Sequence, residues 1–251
     1  MLGPRTLRYG VTLQAIVGAM AANQTDESPL RVADMGAGYG LALRQLHWYL
    51  PSAQRVETYA VDLFERRVRG LARWMRSIVT EETPGALDDA YQPQFIRQDV
   101  TNVQLPVPAD LIVSEQVVQY LDNPLGALAN WYNQLAPNGA MIVSSDHMWP
   151  QALAVSEQQG LNNPVESMLA KLRSRGDAIA TADKHALTRP RKFGMSGCFT
   201  ALAIRRRSPV RLALNAEVSS VAADENGFKT IKYRMQAPDR PLWDYGVGGT
   251  R

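Results

Sequence analysis

The chain lacks the features that would place it in several large classes. It has a single cysteine, Cys198, in 251 residues. That excludes a disulfide framework and a zinc site built on cysteines. Its 27 Lys+Arg stand against 24 Asp+Glu, a net charge of +3. So small an excess, spread over many segments, makes nucleic acid an unexpected partner. No apolar run approaches the length of a membrane span, so no membrane partner is expected either. Arg5 and Arg8 ahead of residues 11–22 faintly resemble a secretory leader, but Thr12 and Gln14 interrupt the run. Leu7, Val11, Leu13, Ile16, Val17 and Met20 instead have the spacing of a helix packed on a domain. The reading is a first helix over 7–22 and a cytoplasmic location. What is present, 45% hydrophobic and 20% charged residues, supplies one sizeable core. One domain with an appendage is therefore expected, rather than two equal ones.

The most informative stretch runs from Arg31 to Gly40. A short apolar strand over 30–33 leads into Asp34-Met35-Gly36-Ala37-Gly38-Tyr39-Gly40, and a helix follows. A turn that bends sharply and lets a ligand touch its backbone cannot carry Cβ atoms at the contact points. The helix then directs its free N–H groups and positive dipole end at that ligand. In a doubly wound sheet this is where a nucleotide-like cofactor lies. A dinucleotide fingerprint requires G-x-G-x-x-G, and Leu41 stands where its last glycine would be. Asp34 also argues against a dinucleotide. Its carboxylate would repel a pyrophosphate and hold an ammonium.

Further acids punctuate the chain at strand ends. Residues 55–61 read as the second buried strand and close on Asp62, 22 positions after Gly40. An acid at that place accepts hydrogen bonds from ribose hydroxyls. It also suits a helix N-cap, and the two roles are compatible. Residues 94–100 read as a third strand ending near Asp99. Residues 109–115 read as a fourth, from Asp110 to Ser114-Glu115. After a helix through Leu125, Leu128, Trp131, Tyr132 and Leu135, a fifth strand follows Pro137-Asn138-Gly139 over 140–145. Arg66, Arg67, Arg69, Arg73 and Arg76 crowd one side of a helix over 63–79 and read as a solvated outer face.

The set of Asp34-x-Gly36-x-Gly38-x-Gly40, Asp62, Asp99-Val100, the 109–115 strand and Leu135-Ala136-Pro137-Asn138-Gly139-Ala140-Met141-Ile142-Val143 resembles the class I S-adenosylmethionine-dependent methyltransferases over residues 30–145. That resemblance implies an α/β fold. It is a seven-stranded, doubly wound, Rossmann-like sheet with helices on both faces, closed by an antiparallel C-terminal hairpin. Residues 198–207 supply its inserted last strand and 185–191 that strand's partner. Segments over 210–222 and 228–235 form an extra C-terminal β element. The expected divisions are an N-terminal helical cap (1–29), a cofactor-binding domain (30–207) and a C-terminal extension (208–251).

The resemblance implies S-adenosyl-L-methionine as cofactor. It would be held by Asp34, Gly36, Gly38, Gly40, Asp62 with Leu63, Asp99 with Val100, and Ser114; no metal is implied. Alignment of a nucleophile with an already activated methyl needs no obligatory catalytic side chain. A poorly acidic hydroxyl benefits from a base. His147, just past the fifth strand with Asp146 beside it, and Glu115, past the fourth with Tyr120, are the candidates. The Asn/Asp-Pro-Pro-aromatic motif of enzymes that methylate flipped bases is absent, so a small-molecule acceptor with an O or N nucleophile is expected. The alternatives are a non-catalytic subunit or effector that binds the cofactor, an aminopropyltransferase-like enzyme, whose acidic diamine-binding pair is replaced by Ser114-Glu115, and a nicotinamide dehydrogenase. The acceptor and the oligomeric state are not legible.

Overall fold

The computed structural model describes residues 28–38, 40, 42–43, 55–64, 93–145, 154–156, 164–185, 198–214, 216–223, 225 and 229–235. The readings placed on residues 7–22, on the body of the 63–79 helix and on Asp146 and His147 lie outside them.

Four strands form the parallel half of the main sheet: β1 (Leu30–Met35), β2 (Val56–Val61), β3 (Gln94–Ile96) and β4 (Ala109–Glu115). A fifth, β5 (Leu135–Ser145), joins β4 in parallel. Their apolar runs suit strands buried on both faces. Alternate side chains enter two separate cores. Ala33, Met35, Ile112, Met141 and Val143 face one; Val32, Leu111, Val113, Ala140 and Ile142 face the other.

Helix α1 (Pro124–Gln134) covers the first core. Asn123 caps it by accepting the Gly126 N–H at 2.9 Å, and Pro124 occupies its first turn. Leu125, Leu128, Trp131 and Tyr132 make its fully buried face. Trp131 Nε1 donates to the Val100 carbonyl at 2.7 Å, tying α1 to the 3₁₀ turn Val100–Asn102 after β3.

The remaining strands are β6 (Ala154–Ser156), β7 (Ala178–His185), β8 (Cys198–Arg205), β9 (Ala216–Ala223) and β10 (Lys229–Met235). The main sheet has the order β3-β2-β1-β4-β5-β8-β7. β8 is antiparallel to both β5 and β7, which is the inserted hairpin that the resemblance implies. Its outer strand differs from the reading. β7 occupies Ala178–His185 rather than 185–191. Helix α2 (Pro164–Ser174) precedes it and stops at Gly176, whose φ of +85° ends the helix in the left-handed region. Asp177 then fixes the exit. Its carboxylate accepts from the Tyr132 hydroxyl (2.8 Å) and from the N–H groups of Arg207 (2.7 Å) and Ser208 (3.0 Å). One buried acid thus joins α1, α2 and the end of β8.

Beyond β8 the chain runs irregularly to residue 214 before entering β9, so the extra strand begins later than the sequence suggested. β9 and β10 form the expected antiparallel pair, and β6 adds a third strand in parallel with β10. This second sheet packs on the segment that links β4 to α1. Ile231 and Tyr233 are fully buried in the same core as Val118 and Leu125. The Tyr233 hydroxyl accepts from the Leu125 N–H and donates to Asn123 Oδ1, each at 3.1 Å. Lys229 pairs with Asp122 beside it.

Tyr233→Phe keeps the ring and removes both bonds, leaving the Leu125 N–H buried without a partner. Loss of about 1–3 kcal/mol of unfolding free energy is expected by denaturant titration; an unchanged midpoint would show that the hydroxyl does not brace the loop.

Candidate functional site

Strand order reverses at β1, which is hydrogen-bonded to β2 on one side and β4 on the other. In doubly wound sheets such a reversal is the place where a ligand crevice lies, outside the carboxyl ends of the flanking strands, here β1 and β4. The sequence places its glycine turn there.

Gly36, Gly38 and Gly40 have φ of +75°, +52° and +71°, a region in which other residues are strained. The first two serve different needs. A Cβ on Gly36 would lie 2.4 Å from Val117 Cγ2, so this glycine makes room for the segment that leaves β4. Among the described residues, a Cβ on Gly38 would meet nothing nearer than the Gly36 carbonyl at 3.8 Å, so none of them crowds this backbone. Gly36 and Ala37 N–H both donate to the Val61 carbonyl, at 2.9 and 3.0 Å, locking the turn to the end of β2.

Asp62 closes this arrangement. Its Oδ2 accepts the Gly38 N–H at 2.8 Å and its Oδ1 accepts the Phe64 N–H at 2.9 Å. The capping role is thus realised. Each carboxylate oxygen keeps a second lone pair. Leu63 and Phe64, which follow, are 50% and 56% exposed at this edge.

Asp34 is the unusual group. It ends β1 in register with Ala60 on one side and Val113 on the other, and is only 2% exposed. Burial, with the negative charges of Glu115 and then Asp62, pushes its pKa up to about 8. The shift also shows that the three carboxylates share one electrostatic neighbourhood. A protonated Asp34 is a poor anion at neutral pH, and a cation in the crevice would restore its charge.

Ser114, Asp99 and Val100 lie at or just past the ends of β4 and β3. Ser114 is buried, and its hydroxyl donates to the Met35 carbonyl at 2.9 Å, bonding the end of β4 to β1. Asp99 is exposed and caps the turn after β3 by accepting the Thr101 N–H at 2.8 Å. Val100 is buried, with its carbonyl held by Trp131. Asp110 stands at the opposite end of β4, where its Oδ2 accepts the Arg31 N–H at 2.9 Å. One feature has no signature in the sequence: Gln116 adopts a φ of +62° directly after Glu115. Only the structure reveals it, because glutamine is not a residue that favours this region. Among the described residues no cluster of three or more His, Cys, Asp or Glu could hold a metal, and no helix is long and apolar enough to cross a membrane.

A parallel sheet with this reversal, a glycine turn at it and acids on successive strand ends define a Rossmann-like nucleoside-binding protein. Comparison with known proteins makes the class specific. A family described as "Methyltransferase domain" matches residues 10–186. The chain belongs to that family and is a class I S-adenosylmethionine-dependent methyltransferase. No curated protein matches it. Among solved structures it is similar to the plantazolicin methyltransferase BamL in complex with a triazolic desmethylPZN analog and SAH. That likeness has 9% identity and a TM-score of 0.51, and covers 82% of this chain and 87% of the other. It is also similar to magnesium protoporphyrin IX methyltransferase from Synechocystis PCC 6803, at 17% identity and a TM-score of 0.46 over 78% of each chain.

Because Asp34 has a folded-state pKa far above the ordinary aspartate value of 3.8, the unfolded chain ionises it first. Its contribution to stability is complete below about pH 4 and is lost as pH rises towards 8. Stability of the cofactor-free protein should fall across this window, and Asp34→Asn should flatten the fall in denaturant titrations at pH 5, 6, 7 and 8. Parallel curves for the two proteins would contradict the burial of an ionisable group here.

Proposed function

We propose that the enzyme transfers the methyl group of S-adenosylmethionine to an O or N nucleophile of a small molecule. The observation that supports this reading is the placement of Asp34, Asp62 and Glu115 at the carboxyl ends of β1, β2 and β4, on either side of the reversal of strand order and near enough for the last two charges to act on Asp34. Asp34 suits the cofactor's ammonium, and Asp62, tied to the glycine turn, suits its ribose. The backbone at Gly38, which no described residue crowds, suits close approach of the cofactor. Asp99, whose Oδ1 is committed to Thr101, keeps Oδ2 for the adenine amino group, with Leu63 and Val100 flanking the ring. Ser114 anchors the strand end above which the methionine part lies.

The cofactor supplies an activated methyl on a sulfonium. The protein's task is to hold a nucleophile in line with that methyl, exclude water and receive a proton where the nucleophile carries one. Glu115, at the end of β4, is assigned contact with the acceptor. His147, with Asp146 to orient it, is assigned the base. The chain's small net charge favours a small molecule over a nucleic acid.

Asp62→Ala should leave the protein folded and weaken S-adenosylhomocysteine by about 1.5–3 kcal/mol, roughly ten- to a hundredfold in Kd by calorimetry. Equal affinities would remove Asp62 from the ribose site. Methyl transfer to acceptors drawn from panels of small amines and phenols tests the reaction, and His147→Ala should lower turnover without changing cofactor affinity.

A further inference from the structure

The segment leaving β4 has two features that binding of the cofactor does not explain. Gln116 is held in the left-handed region, at φ +62°, where a residue other than glycine is strained. Its N–H donates to the Ser144 carbonyl at 2.9 Å, and its side-chain Oε1 accepts from Gln119 Nε2 at 2.9 Å. Val117, between them, lies against Gly36 of the glycine turn. The segment therefore borders the cofactor crevice.

Gln119 is the second feature. It is 1% exposed. Its Nε2 is committed to Gln116, and its Oε1 has no hydrogen-bond partner among the described residues. A buried acceptor without a donor carries its full desolvation penalty. Its neighbour Val118 is fully apolar and buried in the core, so an aliphatic side chain at 119 would occupy similar space without that cost. An amide kept here, braced by a strained neighbour one residue beyond Glu115, has the character of a binding group awaiting its donor.

We propose that the Gln119 side-chain carbonyl, held in place by Gln116, orients the methyl acceptor by taking a hydrogen bond from its N–H or O–H. This rests on the methyltransferase reading above and narrows it. The favoured acceptors carry a donor on the reacting atom: primary or secondary amines, amides and hydroxyls. With that hydrogen held by Gln119, the lone pair faces the methyl carbon. The new bond to carbon forms as the carbon–sulfur bond breaks, sulfur keeps that electron pair, and the nucleophile's proton leaves to a base or to water.

Sinefungin tests this without knowledge of the acceptor, because it bears an amine where the cofactor bears the transferable methyl. Its Kd and that of S-adenosylhomocysteine are measured by calorimetry on wild type, Gln119→Leu and Gln119→Glu. Wild type should favour sinefungin by about tenfold or more, the worth of one hydrogen bond from a charged donor. Gln119→Leu should lose that preference while binding S-adenosylhomocysteine as before, and Gln119→Glu should retain or increase it. If Gln119→Leu does not fold, Gln119→Met carries the same comparison. Ordinary S-adenosylhomocysteine binding with an unchanged preference in the aliphatic variant overturns this inference alone. Failure of folded wild type to bind S-adenosylhomocysteine overturns the cofactor reading and the inference with it.

Discussion

A carboxyl group buried at the end of the central strand, next to two other acids, is the constraint around which this protein is arranged. Asp34 cannot move outward, because β1 is paired with β2 and β4 along both edges. It cannot ionise cheaply either, because burial and the charges of Glu115 and Asp62 oppose it. Such a group works against the folded state at neutral pH. It makes physical sense as a receptor for a cation that arrives later.

The rest of the fold serves that place. The reversal of strand order marks the place of the crevice. Gly36 admits Val117, and no described residue crowds the backbone at Gly38. Asp62 closes the turn onto β2 through Gly38 and Phe64. On the β4 side, the segment 116–125 is braced from beyond the minimal sheet: Tyr233 of β10 grips Asn123 and Leu125, and Lys229 pairs with Asp122. The second sheet thereby fixes the far end of this segment, while Gln116 at its start is held by the Ser144 carbonyl and the Gln119 amide.

Much of this was legible in the chain. The bounds of β4 agree with the reading residue for residue, since Ala109–Glu115 is an apolar run between a proline segment and a polar one. Asp34, Asp62 and the glycines stand at the strand ends and turn that the sequence implies, because strand, turn and acid recur at spacings set by backbone geometry. Other features depend on tertiary contact and left no local trace. Ala178–His185 sets small residues between mostly polar ones and has no apolar run to mark it as a strand. Pairing with β8 makes it a strand. The run before β9 looked like strand, but Arg206 donates to the carbonyls of Leu135, Ser208 and Pro209, and Asn133 bonds Leu212, so side chains satisfy this backbone in place of a ladder. Nor did the sequence tell that Tyr233 reaches across to Asn123, that Gln116 is left-handed, or that Asp34 is both buried and coupled to Glu115.

The central claim is that Asp34 stays largely protonated in the free enzyme and gives up its proton to meet a cationic group of the cofactor. Calorimetry of S-adenosylhomocysteine binding at pH 7, in buffers of differing ionisation enthalpy, counts that proton. With a pKa of about 8 in the free protein, wild type should release most of one proton per molecule bound, and Asp34→Asn should release none. Tight binding to wild type with no proton released would contradict the account.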